Sequence, residues 1–524
     1  MQLSIDDRFN QQLPADPATT KETRQVDSSA FSWVTPRIPS QPQLLHVARE
    51  VAELVGLTEA DIATPEFLQV FSGAKLPAAM KPYAMCYGGH QFGSWAGQLG
   101  DGRAINLAEV AHSGQHWMLQ LKGAGLTPYS RMADGLAVLR SSLREHLCSE
   151  AMFHLGVPTT RSLCLLLTGD RVLRDVMYDG HPEYEPGAII CRVAPSFIRF
   201  GSYEIFAVRQ DLETLRQLTD HTIQHHFPEL ETGTQNGYGE FFRMVCQRTR
   251  DMIIHWHRVG FVHGVMNTDN MSIHGITIDY GPYGWLEGYE PAWTPNTTDR
   301  QRRRYRFGSQ PQVALWNLLQ LANALYPLVQ ESEPFERALK EYQDTFPVLH
   351  ERMLASKIGL DAELPGDQML LAELDAALQL TETDMTIFYR RLADLSKATE
   401  IGSDDGFLAP VADAFYAPDQ LVGDVLNQWR GWFQQYVWRL RQSAWTDEER
   451  RKHMQQINPK YVFRNYMAQL AIDKVETGDI SLLEELFALL KNPYAEQPAQ
   501  EKWFVKRPEW ARHKVGCSML SCSS

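Results

Sequence analysis

The chain has 524 residues and a mass of 59.8 kDa, enough for two or three ordinary domains or for one elaborated catalytic domain with helical extensions. A hydrophobic content of 44% with 22% charged residues is that of a folded globular protein and favours neither disorder nor a membrane class. The net charge of −14 argues against non-specific binding to nucleic acid or an anionic membrane, both of which require a basic surface.

Residues 1–26 mix Asp6, Asp7, Asp16 and Glu22 with polar side chains and lack the apolar core of a secretory signal. No run approaches the roughly 18–20 apolar residues of a membrane span. The seven cysteines show no C-x-x-C spacing, which fits a reducing compartment and a cytoplasmic location. The first 30 residues are expected to form an extended arm, followed by a helical pattern over 44–54. Between 87 and 102, Gly88, Gly89, Gly93, Gly97, Gly100 and Gly102 alternate with His90, Phe92 and Trp95, which predicts an ordered glycine-rich loop. Alternation predicts strands over 103–110 and 117–122. Leu136, Leu139, Leu143 and Leu147 predict a helix from about Leu136, stopped by Gly156 and Pro158. A second helix carries Phe242, Val245, Met252, Ile253 and Trp256 and closes at Gly260. Beyond Gln310 the pattern is helical over 313–328, 370–395, 421–440 and 480–490. The connection at 398–410 reads as a hinge or a surface loop.

His263 opens the run His-Gly-Val-Met-Asn-Thr-Asp-Asn that ends at Asn270, and Ile276, Thr277 and Ile278 predict a strand leading into Asp279. Protein kinases carry H-R-D-x-x-x-x-N followed by D-F-G, in which the Asn and the second Asp give oxygen ligands to the metal on the nucleotide phosphates. The spacing from His263 to Asn270 is the same, so Asn270 and Asp279 are candidate metal ligands. Two residues after His263, where a kinase has its catalytic Asp, stands Val265, which cannot accept a proton; Asp269 is the nearest carboxylate. Any one of Asp269, Asn270 and Asp279 could be a turn former; as a set they read as a metal loop.

Lys122 ends Met-Leu-Gln-Leu-Lys as a kinase phosphate-binding lysine ends its strand, and Glu145 on the following helix is its candidate ion-pair partner. Gly100, Gly102 and Arg103 form a turn whose N–H groups can approach phosphate. Arg192 and Arg199 are two further candidate clamps, or simply surface arginines.

Five segments carry a resemblance: Tyr-Gly-Gly-His-Gln-Phe-Gly, Gly-Asp-Gly-Arg, Leu-Lys-Gly-Ala-Gly-Leu-Thr-Pro-Tyr-Ser-Arg, Asp-Gly-Leu-Ala-Val-Leu-Arg-Ser-Ser-Leu-Arg-Glu and His-Gly-Val-Met-Asn-Thr-Asp-Asn. From about residue 83 to its end the chain resembles the selenoprotein O family. The resemblance implies an α+β, protein-kinase-like two-lobed fold with an N-terminal extension and a C-terminal helical extension. The boundaries expected are 1–80 for the N-terminal extension, 81–200 for an N-lobe with the glycine-rich loop and 201–360 for a C-lobe with the metal loop. A helical extension at 361–510 and a flexible cysteine-containing tail at 511–524 complete it. The implied activity is transfer of AMP from ATP, bound inverted relative to kinases, onto Ser, Thr or Tyr hydroxyls of proteins, with pyrophosphate leaving, in a redox or stress response. Asp269 then resembles the proton acceptor, Asn270 and Asp279 the Mg²⁺ ligands, and Lys122 a phosphate ligand held by Glu145. Gly100, Gly102, Arg103, Asp134, Gly135, Arg192 and Arg199 match the remaining nucleotide contacts. Some members use Mn²⁺ and UTP, which leaves UMP transfer open. The expected partners are ATP and protein substrates, with no nucleic acid and no membrane, and the chain is expected to act as a monomer. A catalytically silent nucleotide-binding scaffold and a conventional kinase are the competing readings. Cys522 stands where eukaryotic relatives place selenocysteine, but Met519 removes a C-x-x-C pair and Pro295 stands where some bacterial relatives have a bridging cysteine.

Overall fold

The computed structural model describes residues 1–20, 22–402, 405–517 and 519–521, and its architecture is α+β. The strands of the first part are β1 (Phe31–Trp33), β2 (Gln43–Val47), β3 (Tyr83–Met85), β4 (Gly88–Gln91), β5 (Ser94–Gln98), β6 (Ala104–His112), β7 (Gln115–Lys122), β8 (Ala137–Val138), β9 (Arg161–Arg174) and β10 (Glu183–Ala194). Eight of these form one antiparallel sheet in the order β1-β3-β6-β7-β10-β9-β2, with β8 paired to β10. The β6–β7 connection is the two-residue loop Ser113-Gly114, both at positive φ (50° and 77°), the geometry that matches strand twist in a tight hairpin. The expected strands at 103–110 and 117–122 are β6 and β7.

Helix Leu139–His154 lies on β9 and β10 and is buried along nearly its whole length, because helices Asn465–Glu476 and Ser481–Leu490 cover its outer side. Its charged residues are therefore paired: Glu150 meets Arg161 at 2.7 Å, and Arg144 reaches Asn465 at 3.3 Å and the Tyr283 carbonyl at 3.1 Å. The C-terminal helices thus brace the helix that carries Glu145. The second part packs helix Gln235–Val259 against Gln310–Val329 and Glu333–Lys357, with the short pair β11 (Phe261–Val262) and β12 (Gly284–Trp285) closing the ends of the loop 263–283. Gly260 at φ +77° ends the first of these helices as expected, since the left-handed C-cap suits glycine.

Four local expectations are corrected. Residues 43–47 form β2 on β9, and a helix starts only at Arg49. The helix expected from Leu136 starts at Leu139, because Ala137 and Val138 pair with Ala188 and Gly187. Residues 276–278 are no regular strand; Thr277 makes a single bridge to Thr159 and donates its N–H to the Pro158 carbonyl at 2.9 Å. The helix expected over 370–395 is two, Asp367–Leu378 and Met385–Leu392, separated at Asp384, whose carboxylate caps the second and pairs with Arg464 at 2.7 Å.

The N-terminal arm is extended apart from one turn of helix, Phe9–Gln12, and it is packed: Phe9 stacks on Tyr83 at 5.5 Å. Over the described residues of 511–521, Cys517 and Leu520 are buried, and the Leu520 carbonyl accepts the Thr297 N–H at 2.8 Å. Cys522 lies outside the described residues. No helix among the described residues is long and apolar enough to cross a membrane.

Candidate active site

A cleft of about 650 Å³ opens between the sheet and the loop 263–282. It is lined by Gly100, Gly102, Arg103, Lys122, Asp134, Gly135, Arg192, Asp269, Asn270 and Asp279, which are candidates drawn from scattered parts of the sequence. Glu145 and Arg199 stand directly behind this wall.

Lys122, the last residue of β7, reaches Glu145 at 2.5 Å, so the expected ion pair is formed. Arg192, one strand away on β10, donates to the other Glu145 oxygen at 3.1 Å and to Asp279 Oδ1 at 2.5 Å; it also donates to Gln120 Oε1. Arg199 donates to Asp279 Oδ2 and to the Asp269 carbonyl, the latter at 2.7 Å. Both guanidiniums are buried, so the alternative of surface arginines is ruled out. Three cations and two carboxylates here leave one positive charge in excess, which suits a polyanion.

The electrostatics separate the two aspartates. Burial alone would raise the Asp279 carboxyl, but Arg199, Arg192 and Lys122 hold it well below the usual carboxylate range. Burial pushes Asp269 up to about 7, against the lowering effects of its hydrogen bond from Gln91 at 3.2 Å and of Arg199. Asp269 lines the cleft, and its Oδ1 is buried under Gly89 of the β4–β5 hairpin with no hydrogen-bond partner. Burial also lowers Lys122, with Glu145 opposing it.

Glycines set the close approaches. The expected glycine-rich loop is a β4–β5 hairpin, folded over Asp269: a Cβ on Gly89 would lie 2.8 Å from Asp269 Oδ1. Gly100 has φ +68° and its Cβ would fall 2.3 Å from the Tyr129 ring, so the Gly-Asp-Gly-Arg turn needs glycine there. Gly135, at φ +72°, passes so close to the Gly125 carbonyl that a Cβ would sit 2.2 Å from it.

Asp279, held ionised, and the Asn270 side chain are the hard oxygen donors on the cleft wall, with both Asp279 oxygens engaged by Arg192 and Arg199. Asn270 donates its Nδ2 to the Val265 carbonyl at 2.9 Å, which leaves its amide oxygen as the acceptor still available. Among the described residues no group of three His, Cys, Asp or Glu side chains forms a metal cage. Two oxygen-bearing side chains make only part of a shell, the kind that Mg²⁺ completes with phosphate oxygens and water in nucleotide sites.

Four contributors carry no assignment from sequence. Gln91 and Asn267 lie inside the recognised strings; Asn267 Oδ1 accepts from Tyr305 at 2.5 Å and from the Phe92 N–H at 3.2 Å. Asp101 is buried within Gly-Asp-Gly-Arg and accepts the Met85 N–H at 2.9 Å, fixing that turn to β3. Arg174, at the end of β9, grips Asp134 through both oxygens at 2.7 and 2.8 Å; no local pattern signals it.

The family model described as "Protein adenylyltransferase SelO" matches residues 18–491. The chain is 58% identical to "Protein nucleotidyltransferase YdiU" of Flavobacterium johnsoniae, over 100% of this chain and 99% of that protein. Proteins of the same name from Rhodopirellula baltica and Aromatoleum aromaticum are 55% and 53% identical, each over 100% of this chain and 99% of their own. With the family model spanning most of the chain and relatives matched from end to end, the chain belongs to the SelO family.

Proposed function

We propose that the protein transfers AMP from ATP to Ser, Thr or Tyr hydroxyls of other proteins. The acceptor oxygen attacks the α-phosphorus, the bond from that phosphorus to the β-phosphate bridging oxygen breaks, and pyrophosphate leaves. The hydroxyl proton passes to the Asp269 carboxylate. The reading is carried by one observation: Asp269 puts a buried carboxyl with an unpaired oxygen on the cleft wall, where burial pushes it up to about 7, while Val265 stands at the kinase base position. A base poised near neutral pH, offset from the usual place, suits attack at a different phosphorus.

Lys122 and the guanidiniums of Arg103 and Arg192, which line the cleft, bind the phosphates, Arg199 adds its charge from behind the wall, and Glu145 orients Lys122. The turn at Gly100 and Gly102 and the loop at Asp134 and Gly135 shape the nucleotide seat. Asn270 and Asp279 would hold Mg²⁺ or Mn²⁺, which supplies charge compensation to the phosphates when bound. In this reading residues 81–200 and 201–360 act as the two lobes of a protein-kinase-like fold, 1–80 and 361–510 brace them, and 511–524 follows as a tail. The six described cysteines are free, which accords with a reducing cytoplasm.

Parallel incubations with α-labelled and γ-labelled ATP test this. Label from the α-position alone on protein is expected; γ-label on protein makes the chain a kinase, and no label on any protein makes it a nucleotide-binding scaffold.

A further inference from the structure

Arg300, Arg302, Arg303, Arg304 and Arg306 lie within seven positions of a chain whose net charge is −14. Asp299 folds this run into a loop: it is buried, and its carboxylate accepts the backbone N–H groups of Arg304 at 3.0 Å and Tyr305 at 2.7 Å. Arg300, Arg302 and Arg303 are exposed. Among the described residues, Glu290, 3.5 Å from Arg303, is the one carboxylate that forms an ion pair with any of the five arginines. Like charges packed this densely repel one another, so the loop gains most when a partner brings compensating negative charge.

Its position says which partner. Tyr305 ties the loop to the rim of the cleft, donating to Asn267 Oδ1 at 2.5 Å and accepting the Phe92 N–H at 2.9 Å. Arg304 lies over the Trp316 ring at 4.7 Å, and a Cβ on Gly93, at the tip of the β4–β5 hairpin, would meet its guanidinium at 3.4 Å. Asn267 and Phe92 both line the cleft, and Asn267 is two residues from Asp269. The basic loop thus stands at the rim of the cleft, beside the proposed proton acceptor.

We propose that the arginine loop 300–306 docks an acidic segment of the acceptor protein adjacent to the hydroxyl that receives the nucleotide. The inference rests on the protein-acceptor reading above. A nucleic acid would lay a continuous phosphate ladder over a surface that is acidic overall, whereas a short acidic peptide matches a loop of this size.

The test compares the full chain with an Arg300→Glu/Arg302→Glu variant. Arg303 is left in place because it sits at φ +46°, and Arg304 because it stacks on Trp316. Short fluorescein-labelled serine peptides flanked by glutamate, glutamine or lysine are titrated by anisotropy, with ATP binding measured alongside. The glutamate peptide is expected to bind roughly tenfold more tightly than the glutamine peptide at low salt, with the advantage shrinking as salt rises. The variant is expected to lose that advantage with ATP affinity unchanged. Equal affinity for all three peptides overturns the inference. So does a variant that keeps the preference, or a single-stranded RNA oligonucleotide held by the same arginines without peptide discrimination. Transfer of α-label to protein by the unmodified chain separates the two readings. Transfer without acidic preference refutes the docking loop alone; acidic preference with no transfer refutes the activity and leaves an acidic-peptide site.

Discussion

Replacing Asp279 by Asn keeps the side chain's shape and removes its charge. In the native site this carboxylate lies between Arg192, at 2.5 Å, and Arg199, whose side chains are 2% and 1% exposed. With the charge gone, Glu145 is the one carboxylate among the described residues still in an ion pair with any of Lys122, Arg192 and Arg199. Removing one partner of a buried pair costs on the order of 3–5 kcal/mol. Asp279 itself keeps 22% exposure, so the lower end applies. About 3 kcal/mol is more than a hundredfold in the folded-to-unfolded ratio. A triphosphate carries the kind of charge the variant lacks, so ATP without metal should restore more stability to Asp279→Asn than it adds to the native chain. Transfer of α-label should nevertheless fall by roughly a thousandfold or more, since the ionised metal ligand is lost. Urea unfolding followed by tryptophan fluorescence, with and without ATP, and transfer assays on the same preparations give both numbers. An unfolding midpoint equal to that of the native chain, or metal-dependent transfer within about tenfold of it, refutes the reasoning.

Asp269→Asn should lower turnover by roughly a hundredfold to ten-thousandfold while ATP affinity stays within about twofold, measured by single-turnover transfer and nucleotide titration. Gly135→Ala places a Cβ 2.2 Å from the Gly125 carbonyl at φ +72°; a loss on the order of 2 kcal/mol and weaker ATP binding are expected in thermal unfolding and titration. Glu109 accepts the Phe9 N–H at 2.7 Å, and burial pushes its carboxyl up to about 7 from an ordinary 4.5. A raised acid favours the folded state most below pH 4.5, and this contribution is lost as pH rises through 7, by about 3 kcal/mol at most. Stability measured against pH should therefore fall across that window and flatten in Glu109→Gln.

The parts of the site legible in the sequence were those that local spacing fixes. Lys122 ends a strand and Glu145 lies on the next helix, so their meeting at 2.5 Å follows from the two element patterns. Asn270 is placed by its fixed distance from His263, whereas Asp279 rests on an expected strand at 276–278 that the structure reduces to a single bridge. Asp134 and Gly135 came only through resemblance, because what makes them a site is tertiary: Arg174 grips Asp134 across 40 residues, and the Gly125 carbonyl fills the space beside Gly135. Burial was equally hidden, since nothing local distinguishes Arg192 and Arg199 from surface arginines until β10 carries the first into the cleft wall and the start of the following helix sets the second behind it. The strand at 43–47 read as helix because Leu44 and Leu45 fit both periods, and only pairing with β9 decides between them. Residues 276–278 look like a strand for the opposite reason: the composition is right, but a single bridge to Thr159 is all the partner they find.

A crystal structure with a non-hydrolysable ATP analogue and Mg²⁺ tests the central claim most directly. The account predicts an ion in contact with Asn270 and Asp279, Arg103, Arg192 and Lys122 on phosphate oxygens, and the α-phosphorus turned toward Asp269. An ion held elsewhere, or a γ-phosphate turned toward Asp269 in place of the α-phosphorus, contradicts it.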